Sequence, residues 1–191
     1  MNDQTPAAPM ATINPWNVAS CVGALVFMFI AIWSDNILLL KFTHLMAGVL
    51  WTGIDLFMGF WVGPALRAAP FEARRAVITR LSPKTLFVMP TLATITGTSG
   101  WYHARQLGFL DLPWPGFGWV AAALVLIAIL TAQGLGILLP TNARVFLELR
   151  KSRPDEERIA RLMNSYTFWV SSQGLGQVLM IVIMAKFATG L

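Results

Sequence analysis

Charge is scarce in this chain. Charged residues make up 12% of its 191 positions, against roughly 25% in a soluble domain, and that scarcity excludes an ordinary water-soluble globule. Cysteine occurs once, at Cys21, so an internal disulfide framework is excluded, and no C-x-x-C-H run offers covalent haem attachment. Histidine occurs only as His44 and His103, which by themselves are too few ligands for zinc. No Lys or Arg precedes the first apolar run, so the opening MNDQTPAAPMATINPWN lacks the charged n-region of a secretory signal and reads as a short polar tail. What the chain has in abundance is apolar surface: 56% hydrophobic residues, twelve Phe, eight Trp and a mean hydropathy of +0.63. In a soluble domain the net charge of +5 would point to nucleic acid; in a lipid-facing chain it marks cytoplasmic segments, so the bilayer is the expected partner and nucleic acid is not.

A membrane-crossing helix needs about 20 mostly apolar residues, and five segments qualify: residues 17–34, 37–66, 83–106, 117–139 and 162–187. The fold class expected is therefore an all-α integral membrane protein, a single domain of about five transmembrane helices. Gly63-Pro64 is the expected stop of the second span, because proline cannot continue the helical ladder. FEARRAVITRL, from Phe71 to Leu81, reads as an amphipathic helix on the inner surface. The stretch around Thr141 to Met163 reads as a charged, solvated helical hairpin that extends spans four and five, turning at Arg153-Pro154-Asp155. Orientation follows from the cations. Arg67, Arg74, Arg75, Arg80 and Lys84 lie between spans two and three, and Arg144, Arg150, Lys151, Arg153, Arg158 and Arg161 between spans four and five. Both segments are expected to be cytoplasmic, which puts the N-terminus inside.

The three remaining cations are Lys41, Arg105 and Lys186. Lys41 stands one helical turn before His44, and Arg105 two residues after His103, with both histidines expected near the outer face. Cations on that face are explained either by snorkelling to lipid head groups or by an anionic ligand. Haem b meets the second description. Imidazoles bind its iron, so His44 and His103 are the candidate metal ligands, and Lys41 and Arg105 are candidate partners of the propionates. At 100° per residue Gly48, Trp51 and Asp55 share the face of His44, and Gly48 is small enough to admit a porphyrin edge. Ser99 and Gly100 stand one turn from His103 in the same manner, so Ser99 joins the candidate cofactor residues.

Asp55 is the one acid in the middle of a span. An intramembrane carboxyl is costly and marks a functional candidate, here a proton relay or a hydrogen-bond partner of a quinone, unless a neighbouring Thr or Gln simply caps it. TAQGLG at Thr131 to Gly136 recurs as SSQGLG at Ser171 to Gly176. Small residues with one Gln describe a packing seam between spans four and five, or, with Gln133 and Gln173, contact to a quinone head group. The Gly59-x3-Gly63 pair serves packing within one subunit or between subunits, which leaves a homo-oligomer or a redox partner subunit open.

HLMAGVLWTGIDLF, with His44-x3-Gly48-x2-Trp51-x-Gly53-x3-Phe57, resembles the H-x6-W-x-G signature helix shared by the membrane domain of bacterial urate oxidases, the bacterial membrane protoporphyrinogen oxidases and the copper-resistance D membrane proteins. LFVMPTLATITGTSGW is similar to the helix that follows it in those proteins, so the resemblance covers Lys41 to Trp101. It implies a bacterial cytoplasmic membrane and a haem whose axial ligand is His44. In the protoporphyrinogen oxidases a lysine early in the next helix is also implicated in haem binding. Lys84 is its nearest equivalent here, on the opposite face from His44 in the expected topology, which leaves His103 as the second ligand. The expected function is one-electron transfer between a quinol and a one-electron partner through b-type haem, in a pocket lined by Trp51, Trp101 and Tyr102. The alternatives are a protoporphyrinogen oxidase and a non-redox scaffold or copper-handling subunit.

Overall fold

The computed structural model describes residues 12–190, and every regular element among them is helical. The first eleven residues of the expected polar tail lie outside the described ones. Five long helices follow in order: α1 (Pro15–Trp33), α2 (Ile37–Ala68), α3 (Phe71–Gln106), α4 (Phe117–Leu149) and α5 (Glu156–Ala188). The starts of α1, α2 and α5 are written in short polar side chains that take up orphan backbone donors. Asn14 accepts from the Trp16 amide at 2.9 Å, Asn36 from Leu39 at 3.1 Å, and Asp155 from Arg158 at 2.9 Å.

Four of the five helices, α1, α2, α4 and α5, are long and apolar enough to cross a membrane, which fits an all-α membrane bundle. The exception is α3. It holds the expected third span, but that span is rich in Thr, Ser and Gly, and the helix packs against α1, α2 and α4. Three of its hydroxyls bond within the helix: Thr85 donates to Leu81, Thr91 to Phe87 and Ser99 to Ile95.

Two expected boundaries are overturned, and a third segment is corrected in its packing. The amphipathic stretch Phe71 to Leu81 is not a separate surface helix; it is the opening of α3, which runs unbroken through Pro83 and Pro90. Nor does α2 stop at Gly63-Pro64. A π-helical turn at Met58–Val62 lets the Gly63 amide reach back to the Met58 carbonyl, and the helix resumes with Pro64 in its first turn, where a missing N–H costs little. The same device recurs in α4, where a π-turn at Gly134–Leu138 precedes Pro140 and the helix continues to Leu149. The charged hairpin does extend α4 and α5 beyond the apolar spans. It is less solvated than expected, since Val145, Phe146 and Leu149 pack with Ile159 and with Ile78 of α3. Buried Glu148 closes its turn, bridging Lys151 at 2.8 Å and Arg158 at 3.5 Å and accepting from the Asp155 amide at 3.2 Å.

Sequential helices run antiparallel. Met28 of α1 meets Ala47 of α2, Ser82 of α3 bonds Asn142 of α4 at 2.6 Å, and Leu130 of α4 reaches Gly176 of α5. α5 also closes onto α2. A Cβ on Gly59 would stand 2.8 Å from the Ser171 Cα, and Gly63 is equally pressed by Thr167, so this glycine pair packs within the subunit. Contacts of Ile78 with Val145 and Ile159 bring both basic segments to one end of the bundle, while Lys41, Arg105 and Lys186 lie on helix ends at the other. At that second end Phe109, just beyond α3, stacks on Phe187 of α5 with ring centroids 5.0 Å apart.

Candidate functional site

Asp55 sits midway along α2 and is 1% exposed. Its Oδ2 accepts from two amides of α5, Gln173 Nε2 at 3.0 Å and Gln177 Nε2 at 2.9 Å. The four-residue spacing of these glutamines places both side chains on one helix face, one turn apart. A carboxylate only accepts, so each glutamine turns its NH2 toward it and its carbonyl oxygen away. The Oε1 atoms of Gln173 and Gln177 are buried without a hydrogen-bond partner, on residues 2% and 3% exposed.

Beside this cluster lies a cavity of about 500 Å³, within the size range of small-molecule sites. Asp55, Trp51 and Gln173 line it together with Trp101, Tyr166 and Asn142, and its remaining wall is mostly apolar surface of α3 and α4. Ser82, Thr85 and Asn142 tie α3 to α4 at the inner end, with Asn142 Nδ2 donating to Thr85 Oγ1 at 2.9 Å. Of the expected aromatic lining, Trp51 and Trp101 are present; Tyr102 is not among the lining residues and is exposed. Of the repeated motif, Gln173 reaches the cavity. Gln133 instead donates to the Trp169 carbonyl at 2.8 Å and holds α4 to α5.

The histidines lie toward the other end of the α2–α3 contact. His44 Nδ1 donates to the Thr96 carbonyl at 2.9 Å, which fixes the ring and leaves Nε2 available. The ring lies on Gly100, where a Cβ would come within 2.7 Å of His44 Cε1, so this glycine is required by the approach of the imidazole. His103 is one turn further on, near enough for the charges of His44 and Lys41 to act on it, and its Nδ1 is buried without a partner. Lys41 and Arg105 are exposed beside them. His44 thus keeps one ring nitrogen uncommitted and His103 has one without a partner, and ring nitrogens of this kind are the donors that haem iron takes as ligands. Among the described residues no three His, Cys, Asp or Glu side chains come together, so a metal held by protein side chains alone would have few ligands.

Two expected contacts take other places. Gly48 faces Thr96 at an ordinary 3.6 Å and serves the approach of α3 to α2, and Ser99 is fully buried with its hydroxyl bound within its own helix. Neither lines the cavity, and neither do the two histidines. Lys84 is sixteen residues before Gly100 on the same helix, or about 24 Å, so it does not share a site with His44. Gln177, Tyr166 and Asn142 join the site without having been singled out from the sequence. Gln177 had a readable signal, since two glutamines four apart on one apolar helix mark a polar face; Tyr166 and Asn142 had none. No protein-family model, curated protein or solved structure matches the chain.

Proposed function

We propose that this chain is a membrane oxidoreductase of a bacterial cytoplasmic membrane that takes a quinol into the cavity between α2, α3, α4 and α5 and passes its electrons singly to a one-electron partner. The observation that carries this reading is the buried carboxyl of Asp55, held by two glutamines on the wall of an otherwise apolar cavity. Intramembrane acids mark proton-handling sites, and an apolar pocket with a few convergent polar groups is the usual form of a small-molecule site. His44 and His103 would hold haem b at the adjoining end, with Lys41 and Arg105 near for its propionates. A haem held there would supply a one-electron acceptor, so that the two electrons of a quinol would leave one at a time.

The chain's own residues have separate tasks. Asp55 accepts a proton from a ligand hydroxyl, and Gln173 and Gln177 fix the carboxyl for that transfer. Trp51 lines the cavity seven residues from His44, about 10 Å along the helix, so the bound head group and the histidine end are within short reach of one another. The apolar walls keep bulk water from the carboxyl. Asp55→Asn preserves shape and removes the proton acceptor. Oxidation of a short-chain quinol by the purified protein is expected to fall at least about 100-fold, with haem content unchanged. Wild-type turnover in Asp55→Asn would remove Asp55 from the mechanism.

A further inference from the structure

Resting on the reading of the cavity as a quinol site, we infer that its ligand enters sideways from the bilayer, through a slot between α3 and the outer length of α4, and binds with its ring at Asp55 and its hydrocarbon chain in the slot. The substrate class is then a long-tailed quinol dissolved in the membrane. Four helices surround the cavity, and their packing leaves one seam unclosed. α2 is joined to α3 at His44 and Thr96 and to α5 at Gly59 and Ser171, and α5 is joined to α4 at Trp169 and Gln133. Of α4, it is the inner length, Leu139–Leu149, that packs on α3, with Ser82 and Thr85 bonded to Asn142; the outer length, Phe117–Leu138, hardly touches it. α1 packs on α2 and α3 and takes no part in the cavity wall. Outward from the Thr85–Asn142 contact, α3 and α4 therefore face each other across the cavity. The lining follows one face of α3 from Thr85 to Trp101, about 24 Å, and one face of α4 from Leu130 to Asn142, about 18 Å. About 500 Å³ drawn out over that length is the shape of a chain rather than of a compact solute.

The exposure of the lining residues shows where this space opens. Leu138, Asn142 and Tyr166 at the inner end are buried, and the apolar cluster of Ile78, Val145 and Ile159 lies beyond them. Thr94, Trp101, Thr131 and Leu135 line the cavity and are nonetheless exposed, Trp101 by 48% and Leu135 by 55%. Thr94 and Thr131 stand about 14 and 16 Å outward from the Thr85–Asn142 contact along their helices, so they flank the slot at one level. Thr131 lies between the apolar runs AAALVLIAIL and LGILL of a membrane-crossing helix, so the slot faces lipid and not water. A ligand dissolved in the bilayer reaches Asp55 by that face without leaving an apolar surrounding, and its chain stays in one.

A photoreactive ligand maps the path of the chain. The probe is a hydroquinone with a hexyl chain ending in a diazirine, kept reduced under argon and irradiated with the full-length protein in lipid nanodiscs. Adducts that excess unlabelled hexylhydroquinone removes are expected on peptides holding residues 94–101 and 131–135. Gly97 lines the slot and a Cβ there would meet nothing within 4 Å, so Gly97→Phe adds a ring to the slot while its Cβ displaces nothing. It is expected to lower competable labelling at least about tenfold. Gly23→Phe, at an equally open glycine on α1, is expected to label as the wild type does. Competable adducts at the inner end, on residues 81–85, 142 or 163–166 in place of the slot, or wild-type labelling in Gly97→Phe, would overturn the lateral entry and leave the cavity as a quinol site. No competable adduct on any peptide would overturn the quinol reading as well. The wild-type map decides even if Gly97→Phe does not fold.

Discussion

Asp55 is placed where an acid is hardest to keep. A charged side chain at the centre of a bilayer costs about 2.5–3.5 kcal/mol on insertion scales, and hydrogen bonds to a charged group return about 1.5–3 kcal/mol each. The two glutamine amides on Oδ2 are thus of the right size to offset the burial of this carboxyl. Glu148, the other buried acid, is held by Lys151 and Arg158 and has a structural task in a turn. The histidines divide their nitrogens differently: His44 has one committed to Thr96, while the Nδ1 of His103 has no partner. If both bind one haem iron, His44→Ala and His103→Ala each abolish the low-spin optical spectrum of the purified protein, and His44→Ala also lowers haem content. An unchanged low-spin spectrum in His103→Ala would assign the second axial position to another side chain.

At the scale of elements, an expected span matches its helix where the signal is a long apolar run, as in α1, expected at 17–34 and found at Pro15–Trp33. Expected boundaries fail where a tertiary contact overrides a local rule. Pro64 reads as a stop, yet α2 continues because the π-turn before it absorbs the proline. Pro83 reads as a start, yet α3 begins twelve residues earlier, its first turns fastened through Ile78 to Val145 and Ile159. The Gly59–Gly63 pair is legible as a packing motif, but only the fold assigns α5 as its partner. That assignment is checkable. Gly59→Leu forces α2 from α5 and is expected to cost at least about 1–3 kcal/mol of stability, the usual penalty of overpacking. Gly53→Ala, whose added Cβ meets nothing within 4 Å, is expected to leave stability unchanged or raise it by up to about 1 kcal/mol through helix propensity. Equal effects in thermal unfolding of the detergent-solubilised variants would contradict the placement of the contact.

The whole molecule sorts its charge and its polarity. The two basic segments gather at one end, and the cations beside the histidines stand at the other, a division readable from the sequence because topology in membranes follows positive charge. The cavity was not readable in the same way. Its wall takes residues from four helices, with Asn142 and Tyr166 meeting Asp55 and Trp51 only after α4 and α5 have folded back on α2 and α3. Sequence offered Asp55, Trp51 and Gln173 as separate candidates; packing makes them one site. The histidine end adjoins that site, and the proposed function requires that quinol electrons arrive on a haem bound to this chain. The direct measurement is the optical spectrum of the oxidised, detergent-purified protein, expressed with adequate haem supply, before and after addition of a short-chain quinol. A Soret band that shifts and sharp α and β bands that rise on addition are the predicted result. A colourless preparation, or a haem spectrum that quinol leaves unchanged while dithionite reduces it, would contradict the account.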